Sequence, residues 1–129
     1  MKHVQKNEAY SKGDILLVDF GNNNVGHEKQ GVRPCVVLSN EGLNNASGNI
    51  IVAPMTNADH KKDENGRLWM LPTQVHLSKS YYRHLDFNSV LQLEDIRSIS
   101  KERIIGYKGY VSIETQERIN RTLYFMFVH

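Results

Sequence analysis

Gly31-Val32-Arg33-Pro34-Cys35-Val36-Val37-Leu38-Ser39 sets the pattern that the rest of the chain follows. A glycine ends a polar loop, a short apolar run begins at once, and no helical spacing follows, which is the signature of a β-strand. Pro34 agrees with this, because a sheet accepts proline at the first residue of a strand or on an edge. Arg33 then stands at the strand's mouth, a charge fixed on a rigid element. Taken alone, it reads most simply as a solvated cation whose alkyl stem lies on apolar neighbours.

The pattern repeats on both sides. Upstream, Gly13-Asp14 opens the run Ile15 to Phe20, which Gly21-Asn22-Asn23-Asn24 stops. Downstream, Asn40-Glu41-Gly42-Leu43-Asn44-Asn45 is turn chemistry, and Asn49 to Pro54 form a third strand built on Ile50, Ile51 and Val52. No helix is expected between these three strands. Asn57 to Arg67 is polar and carries the turn pair Asn65-Gly66, so it reads as an exposed loop at a hairpin tip. Further β signal falls on Leu68 to Leu71, Thr73 to Leu77 after Pro72, Ser89 to Leu93, Ile96 to Ile99 and the Gly-broken Ile104 to Val111. Short strands so closely spaced predict a mainly β domain, a small antiparallel barrel and not βαβ units. From Ser112, a predicted N-cap, the period changes: Ile113, Ile119, Leu123, Met126 and Phe127 fall along one helical face. One C-terminal helix packed on the barrel follows.

At 129 residues the chain is expected to hold one domain over residues 13–129, preceded by a flexible N-terminal extension over residues 1–12. The chain is 40% hydrophobic and 23% charged. It has no apolar run near the ~20 residues a membrane helix needs. The N-terminus lacks the apolar core of a secretory signal. A soluble, cytoplasmic protein without membrane contact is expected. Cys35, the only cysteine, is read as a buried small hydrophobe. Sixteen Lys and Arg against fourteen Asp and Glu make any nucleic-acid site a local patch and not a global field.

Strong catalytic signatures are missing: there is no P-loop, GxGxxG, HExxH, GxSxG or zinc-finger spacing. Asp59-His60 and Asp63-Glu64 read as a solvated charge run, so neither a metal nor an organic cofactor is expected.

Five blocks, taken in order, carry a resemblance. They are Gly13-Asp14-Ile15, then Gly26-His27-Glu28-Lys29-Gln30-Gly31-Val32-Arg33-Pro34-Cys35-Val36-Val37-Leu38-Ser39-Asn40, then Ile51-Val52-Ala53-Pro54-Met55-Thr56, Leu71-Pro72-Thr73-Gln74-Val75 and Val90-Leu91-Gln92-Leu93-Glu94-Asp95-Ile96-Arg97-Ser98-Ile99. Together they resemble the MazF/PemK toxins across nearly all of Lys12 to Phe127. The resemblance implies an SH3-like β-barrel of the CcdB/PemK plasmid-maintenance toxin type with a C-terminal helix. It also implies a homodimeric, sequence-specific endoribonuclease that cuts single-stranded RNA without metal and is held inactive by a small, acidic antitoxin.

Metal-free cleavage needs a base for the 2'-hydroxyl, donors for the phosphorane-like transition state, and a proton for the departing 5'-oxygen. The resemblance carries catalytic roles onto Arg33 and onto Thr56, whose hydroxyl can donate to a phosphate oxygen. Glu28 is assigned to the same site, with His27 and Glu94 as further candidates for proton transfer. Lys29, Gln30, Asn40, Lys61, Lys62, Gln92 and Arg97 are candidate RNA contacts. Trp69 is expected in the core or a dimer contact, with base stacking by Trp69 or Tyr82 the alternative. Departures from the family pattern matter here. The PemK/Kid branch has an Arg-x-Asp pair where this chain has Gln92 and Glu94, so that acid–base pair is not carried over. Gln74 also stands where many relatives have histidine. A second reading keeps the barrel but drops the chemistry, giving a protein-binding toxin of the CcdB gyrase-poison kind or an inactive RNA-binding relative.

Overall fold

The computed structural model describes residues 9–23, 25–26 and 29–128. His27 and Glu28, two of the candidate catalytic residues, lie outside the described residues. Seven strands form the body: β1 (Asp14–Asp19), β2 (Val32–Val37), β3 (Asn49–Asn57), β4 (Gln74–Leu77), β5 (Ser89–Gln92), β6 (Arg97–Ser100) and β7 (Ile104–Tyr110). Two helices join them, α1 (Glu41–Ala46) and α2 (Ile113–Val128), together with short 3-10 turns at Ala58–Lys61, Leu93–Asp95 and Lys101–Arg103.

All pairings are antiparallel, in the order β4-β5-β3-β2-β1-β7, and β6 also pairs β3. The mainly β fold with a C-terminal helix is as expected. The ladder is not closed, since no pairing joins the outer strands β4 and β7 among the described residues. The barrel character comes from the two-sided core. Side-chain alternation sends Ile15, Val36, Ala53 and Met55 to one cluster, and Leu16, Val18, Cys35, Val37, Ile50 and Val52 to another. Strands buried on both faces read as continuous apolar runs.

α2 covers the first cluster through the fully buried Ile119, with Leu123 and Met126 packed against it. Of the apolar face expected from the sequence, Ile113 and Phe127 depart, at 76% and 66% exposed. The helix starts as expected, with Ser112 as N-cap: its Oγ accepts the Thr115 amide at 3.1 Å. The phenol oxygen of Tyr82 accepts the Ser112 amide at 3.0 Å, tying the helix start to the loop before β5. Ser112→Ala is expected to lower stability by about 1 kcal/mol in urea denaturation, the usual cost of a lost cap.

Two further expectations are corrected. The turn chemistry at Asn40 to Asn45 is a short helix. Asn40 Oδ1 accepts the Leu43 amide at 3.0 Å, and Asn44, fully buried, donates Nδ2 to the carbonyls of Ser39 and Tyr10 while its Oδ1 accepts from Ser39 Oγ. Capping and a satisfied buried amide outweigh the poor helix propensity of Gly and Asn. Leu68 to Leu71 is not a strand. Only the bridge Lys62↔Leu68 forms there, and Trp69 is 59% exposed, outside the core.

Candidate active site

The site is built at the open end of the second core cluster. The loop between β1 and β2 is closed at its neck by two backbone bonds, Phe20 N to Gly31 O at 2.9 Å and Gly31 N to Gly21 O at 2.8 Å. Gly21 and Gly31 both sit at φ +73, a left-handed conformation that glycine adopts without penalty. This neck fixes the start of β2, and therefore Arg33, relative to β1.

Arg33 is half-buried, and its Nε donates to the Gln30 carbonyl at 3.1 Å. That bond orients the guanidinium and leaves its η N–H groups without a protein partner among the described residues. In the β2–β3 ladder Cys35 faces Pro54 and Val37 faces Val52. The ladder ends at the Cys35–Pro54 pair, with Arg33 two residues before it on β2 and Thr56 two residues beyond it on β3, where Thr56 pairs with Val90 of β5. By alternation Arg33 shares a face with Cys35 and Val37, and Thr56 with Ile50 and Val52, all four members of one cluster. The Thr56 hydroxyl has no hydrogen-bond partner among the described residues.

A second guanidinium joins them. Arg97 opens β6 opposite Val52, and its Cζ lies 5.0 Å from the centroid of the Phe20 ring, a cation–π contact. Burial pushes the Cys35 thiol far above its ordinary pKa, and the charges of Arg33 and then Arg97 oppose that shift. Both arginines therefore converge on the region around Cys35. Neither forms an ion pair among the described residues. Each guanidinium therefore keeps N–H donors for an anion.

Arg97 also lines a cavity of ≈ 280 Å³ with Lys29, Glu94, Asp95 and Ile96. Lys29 Nζ lies 3.6 Å from Asp95 Oδ2. Glu94 accepts from Thr73 Oγ1 at 2.9 Å through Oε1 and from Gln74 Nε2 at 2.6 Å through Oε2. Both oxygens thus join β4 to the turn after β5, and Arg97 is not their partner.

The other sequence candidates are more scattered. Gln30 contributes its carbonyl to Arg33. Asn40 spends its side-chain oxygen on capping α1. Gln92 is only 5% exposed, and its Oε1 has no partner among the described residues. Lys61 and Lys62 lie beyond β3 and do not line the Arg97 cavity. Lys62 pairs with Asp59 at 2.9 Å, a contact that holds the Asp59 carboxyl below its usual pKa. Phe20 was not singled out by the sequence, since nothing in a strand-end phenylalanine announces a distant arginine above it. Among the described residues no group of three or more His, Cys, Asp or Glu side chains is placed to hold a metal ion. No helix of the described residues is long and apolar enough to cross a membrane.

Fold and site together define a small mainly β domain with Arg33 at the mouth of β2, Arg97 in a cavity at the start of β6, and a C-terminal helix across one core. Residues 11–127 match the family model described as PemK-like, MazF-like toxin of type II toxin-antitoxin system, and the chain belongs to that family. It is 33% identical over 112 residues to the Endoribonuclease MazF of Staphylococcus saprophyticus, covering 87% of this chain and 86% of that protein. Among solved structures it superposes on MazF from Deinococcus radiodurans with TM-score 0.71 at 20% identity, covering 94% of this chain and 98% of that one. A mycobacterial endoribonuclease in complex with its cognate antitoxin gives TM-score 0.68 at 20% identity, covering 91% and 93%.

Proposed function

We propose that this toxin is an endoribonuclease that cuts single-stranded RNA by attack of a 2'-hydroxyl on the adjacent phosphate, leaving a 2',3'-cyclic phosphate and a 5'-hydroxyl. The observation that carries the reading is Arg33: fixed by the Gln30 carbonyl, it keeps its η donors unspent at the mouth of β2, two residues before the Cys35–Pro54 pair, while Thr56 stands two residues beyond that pair on β3. Its planar fork suits two phosphate oxygens. The Thr56 hydroxyl supplies another donor, and Arg97, held over Phe20, a second positive charge. Charge accumulates on the non-bridging oxygens in the transition state, so donors placed in advance stabilise it more than the substrate.

Proton transfer falls to the β1–β2 loop. Glu94 is engaged by Thr73 and Gln74, and Asp95 faces Lys29. Glu28 is assigned to accept the 2'-hydroxyl proton, and His27, beside it in sequence, to give one to the departing 5'-oxygen. A small acidic antitoxin is the matching inhibitor, because guanidiniums without a carboxylate partner attract carboxylates as they attract phosphates. RNA in the cytoplasm is the target, and the active unit is a homodimer.

The protein is expected to cut a mixed-sequence RNA in excess EDTA, and a single 2'-deoxy substitution at the mapped cut site is expected to abolish that cut. Gel analysis of end-labelled RNA reads both. Cleavage that EDTA abolishes, or that survives the 2'-deoxy substitution, contradicts the mechanism.

A further inference from the structure

A second groove lies beside the first, between α2 and the start of β4. It has a volume of ≈ 330 Å³, and Pro72, Gln74, Arg118, Arg121, Thr122 and Phe125 line it. Arg118 and Arg121 come from successive turns of one helix face and are exposed. Neither makes an ion pair among the described residues, although Glu114 and Glu117 stand one turn back on the same helix. The Thr122 hydroxyl donates to the Arg118 carbonyl at 2.8 Å, so the polar ends facing outward are the guanidiniums. Phe125 is 53% exposed at the edge of the groove.

The two grooves share a wall. Gln74 lines this one, Glu94 lines the cavity beside Arg97, and a 2.6 Å hydrogen bond joins their side chains. The α2 groove and the cavity beside Arg97 are thus neighbours, separated by the Gln74–Glu94 bond. We propose that this groove is a subsite for RNA flanking the cut: Arg118 and Arg121 hold backbone phosphates, and a base stacks on Phe125. Single strands are gripped by this pairing of cations with an aromatic face. The inference rests on the ribonuclease reading and extends it to substrate length, with the α2 groove contributing affinity only to RNA long enough to reach it.

The test uses 2'-O-methyl RNA, which binds but has no 2'-hydroxyl to react. Fluorescence anisotropy measures binding of a mixed-sequence dodecamer and a tetramer across a salt series. For the dodecamer, R118Q/R121Q is expected to flatten the slope of log affinity against log salt by about 1.4, two phosphate contacts at about 0.7 each for a single strand. F125A is expected to weaken the dodecamer about five-fold or more with the slope kept, as loss of stacking without loss of charge requires. Circular dichroism confirms that each variant is folded.

A dodecamer slope unchanged in R118Q/R121Q overturns the subsite while leaving the ribonuclease reading standing. An equal change in slope for dodecamer and tetramer overturns it too, since it makes the effect a general one of charge. If poly-glutamate competes for these arginines while the RNA slope is unchanged, the groove is a protein site. If wild type binds neither RNA, the ribonuclease reading falls first and the subsite with it.

Discussion

Replacement of Arg33 by alanine is expected to slow RNA cleavage by about a thousand-fold, roughly 4 kcal/mol of lost transition-state stabilisation. The magnitude follows from what the side chain does. One bond, to the Gln30 carbonyl, orients it, and its remaining donors are unspent, which in the proposed mechanism leaves them for the phosphate. Stability should change little, because the residue is only half-buried at the strand mouth. Arg33→Lys keeps the charge but loses the planar fork, so an intermediate loss is expected. Thr56→Val removes one neutral donor and should cost about a hundred-fold. Single-turnover cleavage of a defined RNA ranks the three, and a fully active Arg33→Ala protein would remove Arg33 from the chemistry.

The second large effect is on the scaffold. Phe20 is 1% exposed in the second core cluster and also lies under Arg97. Phe20→Ala is expected to destabilise the fold by about 3–5 kcal/mol in urea denaturation, a large share of the ~5–15 kcal/mol typical of a domain. Phe20→Leu separates the two roles: it fills most of the space at a cost below about 1.5 kcal/mol, yet removes the aromatic face. Cleavage by Phe20→Leu is expected to fall while its melting changes modestly. Unaltered cleavage in that variant would show that the ring only fills the core.

Strand positions were legible in the sequence because β-branched runs such as Ile50-Ile51-Val52 between Gly, Asn and Pro punctuation leave few alternatives. α1 was not, since what stabilises it is tertiary: Asn44 is satisfied by Ser39 and by the carbonyl of Tyr10, far away in sequence. The start of α2 could be read from Ser112, but the exposure of Ile113 and Phe127 could not, because periodicity marks an apolar face without stating what covers it. In the site, Arg33 and Thr56 were each visible at a strand end. That both flank the Cys35–Pro54 pair is a property of register, which appears only when β2 and β3 are paired. The engagement of Glu94 by Thr73 and Gln74 was likewise hidden, because the partners stand 21 and 20 residues away in sequence and meet it only through the fold.

In the proposed mechanism these side chains direct a 2'-hydroxyl onto the neighbouring phosphate. Mass spectrometry of the fragments from an RNA cut by the purified protein in EDTA tests it most directly. A 2',3'-cyclic phosphate on the upstream fragment and a 5'-hydroxyl on the downstream one are expected. A 3'-hydroxyl with a 5'-phosphate would show that water was the nucleophile and contradict the account.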